Sequence, residues 1–137
     1  MSGIEAVEEW WTLPDVADRL GLDLGKVRRL VQERHVVGLR RGERPVLRVP
    51  AAFFVPLSEA EVAARAAAAQ EQGRPVASVE IVPGLPGTLT LLTDIRLTDE
   101  EIVDWFFSAD DMLGETPAAA LRSGRKSAVR RAAQLLG

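Results

Sequence analysis

The sequence predicts a mainly α-helical protein with one small β-hairpin, in which two short helices and the hairpin precede a helical C-terminal domain. Three features support this fold class. Residues 12–34 carry two sets of helix-capping signals separated by a glycine. Residues 36–50 alternate apolar and polar side chains on both sides of a turn. Residues 98–137 carry further helix caps and apolar stripes with helical spacing.

The first of these features predicts two short helices joined by a tight turn. Thr12 is the N-cap of the first helix, and Asp15 stands at the capping-box position. Gly21 ends this helix, and Asp23 is the N-cap of a second helix that extends to about Arg34. The predicted buried side chains are Leu13, Val16, Ala17 and Leu20 on the first helix, and Val27, Leu30 and Val31 on the second. Two helices joined in this way are typical of a helix-turn-helix.

A β-hairpin is predicted in the segment VVGLRRGERPVLRVP, residues 36–50. Its apolar positions alternate with polar ones before and after a turn at 41–44, and Pro45 suits an exposed edge because it has no ladder donor. The segment holds Arg40, Arg41, Arg44 and Arg48 beside a single acid. By itself such a hairpin fits either a solvated edge that resists aggregation or a wing that lies against a polyanion.

Four parts are predicted along the chain. Residues 1–10 form a disordered acidic tail, 11–56 the helix-turn-helix with its hairpin, 57–78 an alanine-rich helical insertion or linker, and 79–137 the helical C-terminal domain. The segment VASVEIV (76–82) is strand-like. In the C-terminal domain Thr98 and Thr116 are N-caps, and the predicted core is Leu85, Leu89, Leu92, Ile102, Val103, Phe106, Phe107, Val129, Ala132, Ala133 and Leu136.

Composition limits the class of protein. The 137 residues include no cysteine, which excludes disulfides and thiolate metal sites. No apolar run is long enough for a transmembrane helix, and the acidic N-terminus lacks the features of a signal peptide. We therefore expect a cytoplasmic protein, associated with the nucleoid if it binds DNA.

Charge is strongly segregated along the chain, although the net charge is only −3. Basic residues are concentrated in 23–48 and in 122–137, and acidic residues dominate 1–22 and 49–121. Segregation of this kind indicates a polyanion-binding surface beside an acidic remainder, or simply variation of a solvated surface.

No catalytic, metal or cofactor site is predicted. The single histidine, His35, directly follows the second helix and has no recognisable partner for catalysis. The carboxylates of Asp99 to Glu101 and of Asp110 and Asp111 are explained by helix N-terminal charge and a solvated loop. The segment PGLPG (83–87) lacks the lysine and the context of a phosphate-binding loop.

The second helix and the hairpin together favour DNA binding. The second helix of a helix-turn-helix enters the major groove and reaches base edges with its N-terminal residues. Arginine and lysine recognise guanine edges and phosphates, and glycine allows close backbone approach. The predicted DNA-binding residues are Gly25, Lys26, Arg28 and Arg29 on the helix, and Arg40, Arg41 and Arg44 on the wing.

These residues also carry a family resemblance. The segment LPDVADRLGLDLGKVRRLVQERHVVGLRRGERPVLRVPAAFF (13–54) resembles the winged helix-turn-helix of the excisionase and MerR-like group. The continuation VEIVPGLPGTLTLLTDIRLTDEEIVDWFF (79–107) is similar to a small family of actinobacterial DNA-binding proteins. The marks shared with that family are FF after the wing (53–54), LPGT (85–88) and DWFF (104–107). The resemblance implies a winged helix followed by a helical C-terminal domain of undefined role, with double-stranded DNA as the partner. The alanine-rich stretch at 57–76 departs from that pattern as an apparent insertion. Relatives phosphorylated on their N-terminal tails have little counterpart here, because Ser2 is the one hydroxyl residue before Thr12.

A second resemblance leaves an alternative open. The segment GETPAAALRSGRKSAVRRAAQLL (114–136) is similar to the toxin-binding segment of antitoxins, which implies a protein-interaction module acting through its C-terminal helices. In a DNA-binding protein the same segment offers additional phosphate contacts through Arg125, Lys126, Arg130 and Arg131. No heptad seam is present, so the sequence leaves the oligomeric state open.

Overall fold

A computed structural model describes residues 2–137 of the chain. Within this range the strands are β1 (Trp10–Thr12), β2 (Leu39–Arg41), β3 (Val46–Pro50), β4 (Phe54–Pro56) and β5 (Val79–Ile81). The helices are α1 (Ser2–Glu5), α2 (Leu13–Leu20), α3 (Leu24–Gln32), α4 (Glu59–Glu71), α5 (Leu85–Asp94), α6 (Asp99–Phe106), α7 (Pro117–Arg122) and α8 (Lys126–Gln134), with a single 3-10 turn at Ala51–Phe53. The predicted fold class, a winged helix-turn-helix followed by a helical region, is confirmed.

The helix-turn-helix has the caps that the sequence predicts. The Thr12 hydroxyl accepts the Asp15 amide at 3.3 Å and the Asp15 carboxylate accepts the Thr12 amide at 3.2 Å, which completes the capping box of α2. Gly21 ends α2 with φ of 66°, and the Asp23 carboxylate accepts the Lys26 amide at 2.9 Å to start α3. The second helix ends two residues earlier than predicted, at Gln32.

The wing belongs to a three-stranded antiparallel sheet with the order β1-β3-β2. The hairpin of β2 and β3 is confirmed, and its register pairs Arg41 with Val46 next to the turn. The third strand, β1, is absent from the sequence prediction because WWT is too short to show alternation. It pairs with the far edge of β3, with Trp11 opposite Val49, and leaves β2 as an exposed edge.

The segment predicted as a disordered acidic tail is ordered from Ser2, and Met1 lies outside the described residues. Helix α1 packs against α6, where the Gly3 amide donates to the Asp104 carboxylate at 2.9 Å. Ile4 and Val7 are buried. The acidic composition suggested a solvated tail, but the apolar positions between the glutamates face a neighbour that is distant in sequence.

The alanine-rich segment is anchored at its C-terminal side. Helix α4 is mostly exposed, as expected from its composition, and Ala69 is its one buried residue. The strand predicted within 76–82 is confirmed as β5, and it pairs with β4, with Phe54 opposite Ile81. The last strand of the hairpin region is therefore hydrogen-bonded to a strand that precedes the C-terminal helices.

The C-terminal helices also form as predicted. The side chains of Thr98 and Thr116 cap α6 and α7. The predicted core residues of α5, α6 and α8 are buried, except that Phe107 is half-buried and Leu136 is 49% exposed. Leu136 differs from the prediction because α8 ends at Gln134, so the helical spacing no longer directs that side chain inward.

One hydrophobic core runs through both halves of the chain. Phe53, from the 3-10 turn, lies with its ring centroid 5.2 Å from that of Phe106 and 5.6 Å from that of Phe107. The Arg122 guanidinium donates to the carbonyl of Ala52 at 3.1 Å and to that of Phe54. The predicted boundaries therefore divide the sequence, but the two halves pack as one body.

Candidate nucleic-acid interface

The exposed face of α3 carries all four of its predicted DNA-binding residues. Val27 is fully buried, and it fixes the rotation of the helix against the core. Since an α-helix turns by about 100° per residue, Gly25 and Arg29 lie opposite Val27, and Lys26 and Arg28 lie at the two margins of the outward face. All four positions are exposed. The face that a groove would meet is thus a glycine flanked by three cations.

Gly25 leaves this face open. A Cβ atom added at Gly25 would meet one neighbour, the Asp23 carboxylate, at 3.3 Å. The backbone of the first turn is therefore accessible from outside. Such access allows close approach of a phosphate or a base edge to the start of the helix.

The wing arginines occupy its exposed edge strand and its turn. Arg40 and Arg41 are neighbours on β2, so their side chains leave opposite faces of the strand. The Arg41 guanidinium lies 5.2 Å from the ring centroid of Trp10, and Arg40 makes a long hydrogen bond of 3.5 Å to the carbonyl of Pro45. Arg44 lies in the exposed turn. Because the side chains of Arg40 and Arg41 leave opposite faces of β2, neither face of the sheet carries all three cations. An anion would reach Arg40, Arg41 and Arg44 together only from the exposed edge of β2.

None of these six cations is neutralised by an acid within residues 2–137. The ion pairs of this range join Arg34 to Asp99, Arg125 to Glu115, and His35 to Glu33. The cations of α3 and the wing are therefore available to an external anion. Helix α2 packs against both α3 and β3, which joins the two basic elements into one unit.

Arg48 differs from the other hairpin arginines. It lies on the central strand β3, between Leu39 and Thr12 in register, and is half-buried. Its Nε atom is buried without a hydrogen-bond partner among the described residues, and no acid pairs with it there. This position agrees with a role in bracing the hairpin.

The C-terminal cations are not equivalent. The Arg125 guanidinium donates to the carbonyl of Leu113 at 2.9 Å and to the carboxylate of Glu115 at 2.7 Å, so it holds the preceding turn. Lys126, Arg130 and Arg131 are exposed. Lys126 and Arg130 lie against the glycines of α5 and its N-cap, since a Cβ at Gly84 or Gly87 would approach their side chains within 3 Å.

Two arginines outside the predicted binding set make contacts with residues distant in sequence. Arg34, directly after α3, pairs with Asp99 at 2.9 Å and lies within 3.4 Å of the Thr93 hydroxyl. Arg74 donates to the carbonyl of Gly21 in the turn between the two helices, at 2.9 Å. Neither belongs to a local motif. Their partners lie 53 or more residues away in sequence, so no local pattern indicates them.

Two members of the predicted acidic clusters, Asp99 and Asp110, have structural partners. Asp110 accepts the amides of Met112 and Leu113 at 2.9 and 3.3 Å, and Asp99 pairs with Arg34. The part of the chain that the structure describes holds no group of three or more acidic or histidine side chains arranged to bind a metal ion. In the same part, no helix combines the length and apolar character that spanning a membrane requires.

Comparison with known proteins gives matches along most of the chain. Residues 4–54 match the family model described as "DNA-binding protein Rv2175c, wHTH domain", and residues 82–137 match the "Rv2175c C-terminal domain of unknown function". The DNA-binding protein Rv2175c of Mycobacterium tuberculosis is 32% identical over 122 residues, which are 89% of this chain and 64% of that relative. The NMR structure of Rv2175c superimposes with a TM-score of 0.70 at 28% identity, covering 94% of this chain and 81% of that one.

Proposed function

This chain belongs to the Rv2175c family, and from that membership we propose that it binds double-stranded DNA through its winged helix-turn-helix. In this proposal it is a cytoplasmic protein that acts as a transcriptional or nucleoid-associated regulator. The family description names DNA binding for the matched N-terminal domain, and the curated relative is named a DNA-binding protein. The chain spans 64% of that relative's length, so the regulatory role and the nucleoid location are proposals for this protein.

The observation that carries the proposal is the set of six exposed cations on α3 and the wing. They follow the order expected of a winged helix-turn-helix, and none has an acidic partner within residues 2–137. Helix α3 is assigned to the major groove, with Lys26, Arg28 and Arg29 toward base edges and phosphates. The wing arginines Arg40 and Arg41, with Arg44 at the turn, are assigned to the flanking backbone or the minor groove.

Gly25 is assigned to the same interface. It contributes backbone access instead of a side chain, since the nearest atom to an added Cβ would be the Asp23 carboxylate. Lys126, Arg130 and Arg131 are assigned as additional phosphate contacts of lower weight, because they lie on α8 or at its start, outside the winged helix-turn-helix. Arg125 is the weakest member of that set, since Glu115 already neutralises it.

A salt titration of the binding constant tests the proposal. Six phosphate contacts at about 0.9 counterions each predict that log affinity falls with log salt with a slope of about −5. Fluorescence anisotropy of a labelled duplex at several salt concentrations measures this slope. The triple variant Arg40/Arg41/Arg44→Ala is expected to reduce the slope to about −3.

A matched pair of single variants distinguishes the contribution of the wing from the effect of removing any positive charge from the surface. Arg44 in the wing turn and Arg65 on α4 are both exposed, and each loses one positive charge in its alanine variant. Arg44→Ala is expected to reduce the slope by about one, while Arg65→Ala leaves it unchanged. Equal effects, or no binding by the wild-type protein at low salt, would contradict the proposal.

Selection of bound duplexes from a random pool addresses specificity and stoichiometry together. A dimer reading two half-sites would select an inverted repeat spaced by about one helical turn, and a monomer a single short site. Co-purification of a second protein by a chain that does not bind DNA would favour the protein-interaction alternative instead.

A further inference from the structure

Helix α3 packs against α2 but buries only one residue fully within the winged helix. Val27 is its one fully buried residue, and Leu30 and Val31 are half-buried. Leu24 is also half-buried, and the other residues of the helix are exposed. Because a helix of nine residues is marginal by itself, its orientation also depends on how its two ends are fixed.

The N-terminal end of α3 is held by the segment that follows α4. The Arg74 guanidinium donates to the carbonyl of Gly21 at 2.9 Å, in the turn that leads into α3. The amide of Ser78 donates to the carbonyl of Arg19, in the last turn of α2, at 2.8 Å. Gly21 is packed so closely that a Cβ there would lie 2.8 Å from the backbone of Pro75 and Ala77.

The C-terminal end of α3 is held by the C-terminal helices. Arg34 has φ of 62°, a left-handed conformation that is rare for a residue with a Cβ. This turn lets the His35 amide donate to the carbonyl of Leu30 at 2.9 Å, which closes the helix. The Arg34 side chain then crosses to Asp99 at the first turn of α6, at 2.9 Å, and to Thr93 at the end of α5.

Both contacts come from outside the winged helix-turn-helix. Arg74 precedes β5, and Asp99 begins α6. The core that joins the two halves through Phe53 and Phe106 keeps these anchors at a fixed distance from the winged helix. The geometry therefore links the domain of unknown function to the orientation of the basic helix.

We propose that the region 57–137 is a brace that holds the DNA-recognition helix at both ends, with Arg74 and the Arg34–Asp99 pair as positioning residues for DNA binding. This inference rests on the proposed function, because it takes α3 as the helix that meets DNA. The two anchors, Arg74 and the Arg34–Asp99 pair, contribute no phosphate contact themselves. It fixes where the cations of α3 stand relative to the wing, so its loss lowers affinity without changing the number of counterions released.

Neutralising Asp99 has two expected effects on the affinity for DNA, and the two have opposite sign. Removal of a negative charge near a DNA-binding surface favours binding. Asp99→Asn also weakens the anchor of Arg34, so the brace predicts weaker DNA binding, by about fivefold. A change of this size lies within the coupling free energies observed for residues that do not contact the ligand. The control is Glu100→Gln, which removes the same charge from the same helix turn. Glu100 is exposed and has no ion-pair partner among the described residues.

Anisotropy with a labelled duplex measures both variants. Asp99→Asn is expected to bind about fivefold more weakly with an unchanged salt slope, and Glu100→Gln equally well or slightly more tightly. Tighter binding by Asp99→Asn with a slope steeper by about 0.9 would make Arg34 a phosphate contact and overturn the brace. Equal behaviour of the two variants would also overturn it.

The N-terminal anchor has its own matched pair. Arg74→Met removes the donor to Gly21 and keeps the aliphatic stem, and Arg65→Met removes one exposed cation from α4. The brace predicts several-fold weaker binding for Arg74→Met alone. Equal affinities of the two variants would remove this anchor from the proposal.

Hydrogen exchange of the free protein tests the brace without DNA. The amides of Arg28 to Gln32 are expected to lose protection in Asp99→Asn and Arg74→Met, and to keep it in Glu100→Gln and Arg65→Met. Urea unfolding of each variant establishes that the comparison is made on folded protein. If the wild-type protein fails to bind DNA, the proposed function is refuted. If the α3 amides keep their protection from hydrogen exchange in Asp99→Asn and Arg74→Met, the brace is refuted independently of DNA binding.

Discussion

Replacing Phe53 by alanine should destabilise both halves of the chain together. Phe53 is 1% exposed and lies at the end of the winged helix, where its ring contacts Phe106 of α6 and Phe107, which directly follows α6. Removing a fully buried phenylalanine side chain costs about 3–5 kcal/mol, because apolar contacts are lost and a cavity remains. With a urea dependence on the order of 2 kcal/mol per molar, the unfolding midpoint should fall by about 2 M.

The tryptophans provide a separate reporter for each half. Trp10 and Trp11 lie on β1 in the sheet of the wing, and Trp105 lies on α6. Trp105→Phe leaves fluorescence from the N-terminal half, and Trp10/Trp11→Phe leaves fluorescence from the C-terminal half. In both backgrounds Phe53→Ala should shift the urea midpoint by the same amount, since one core is shared.

Two further variants calibrate this experiment. Phe53→Leu retains most of the buried apolar surface and should lose less stability than Phe53→Ala. Met112 is 61% exposed, so Met112→Ala should change the free energy of unfolding by no more than about 0.5 kcal/mol. A transition at Trp105 that stays in place while the N-terminal reporters shift would refute the shared core.

The remaining predictions concern single positions. Gly21→Ala should lower the free energy of unfolding by more than Gly124→Ala. Both glycines have positive φ, but only a Cβ at Gly21 would approach neighbouring backbone, at 2.8 Å. Equal shifts of the thermal midpoint would contradict this close packing. Thr98→Ala should lower stability by about 1 kcal/mol through loss of the α6 capping box, measured by urea unfolding, whereas Thr98→Ser should retain most of it. Arg130/Arg131→Ala should reduce the salt slope of DNA binding by up to about two if α8 contacts phosphates, and an unchanged slope would confine the interface to α3 and the wing.

Most of the local structure was predictable because it depends on residues that are close in sequence. The Thr12 and Thr98 capping boxes join groups three residues apart, so their signals are visible in the printed sequence. The hairpin turn and the helix-ending Gly21 have equally local causes. The predicted binding residues followed from these elements, and they remain a prediction until DNA binding is measured.

The structure of residues 2–10 was not predictable by the same means. Their acidic composition is that of a solvated tail, and only contact with α6 explains why Ile4 and Val7 are buried. Gly3 shows the same dependence, since any Cβ there would collide with the backbone of Asp104. Strand β1 likewise exists because β3 offers an open edge.

Apart from short elements such as α1 and β1, the sequence by itself determined the element types, their order and the basic character of α3 and the wing. These properties follow from caps, periodicity and charge, which act between near neighbours. Tertiary structure alone decided that the two halves share a core and that Arg74 reaches Gly21 across 53 residues. It also decided which cations form ion pairs. Glu115 pairs with Arg125, and Asp99 pairs with Arg34, because folding brings the segments that carry them together. Pairings of this kind depend on where the whole chain packs, and no local pattern records them.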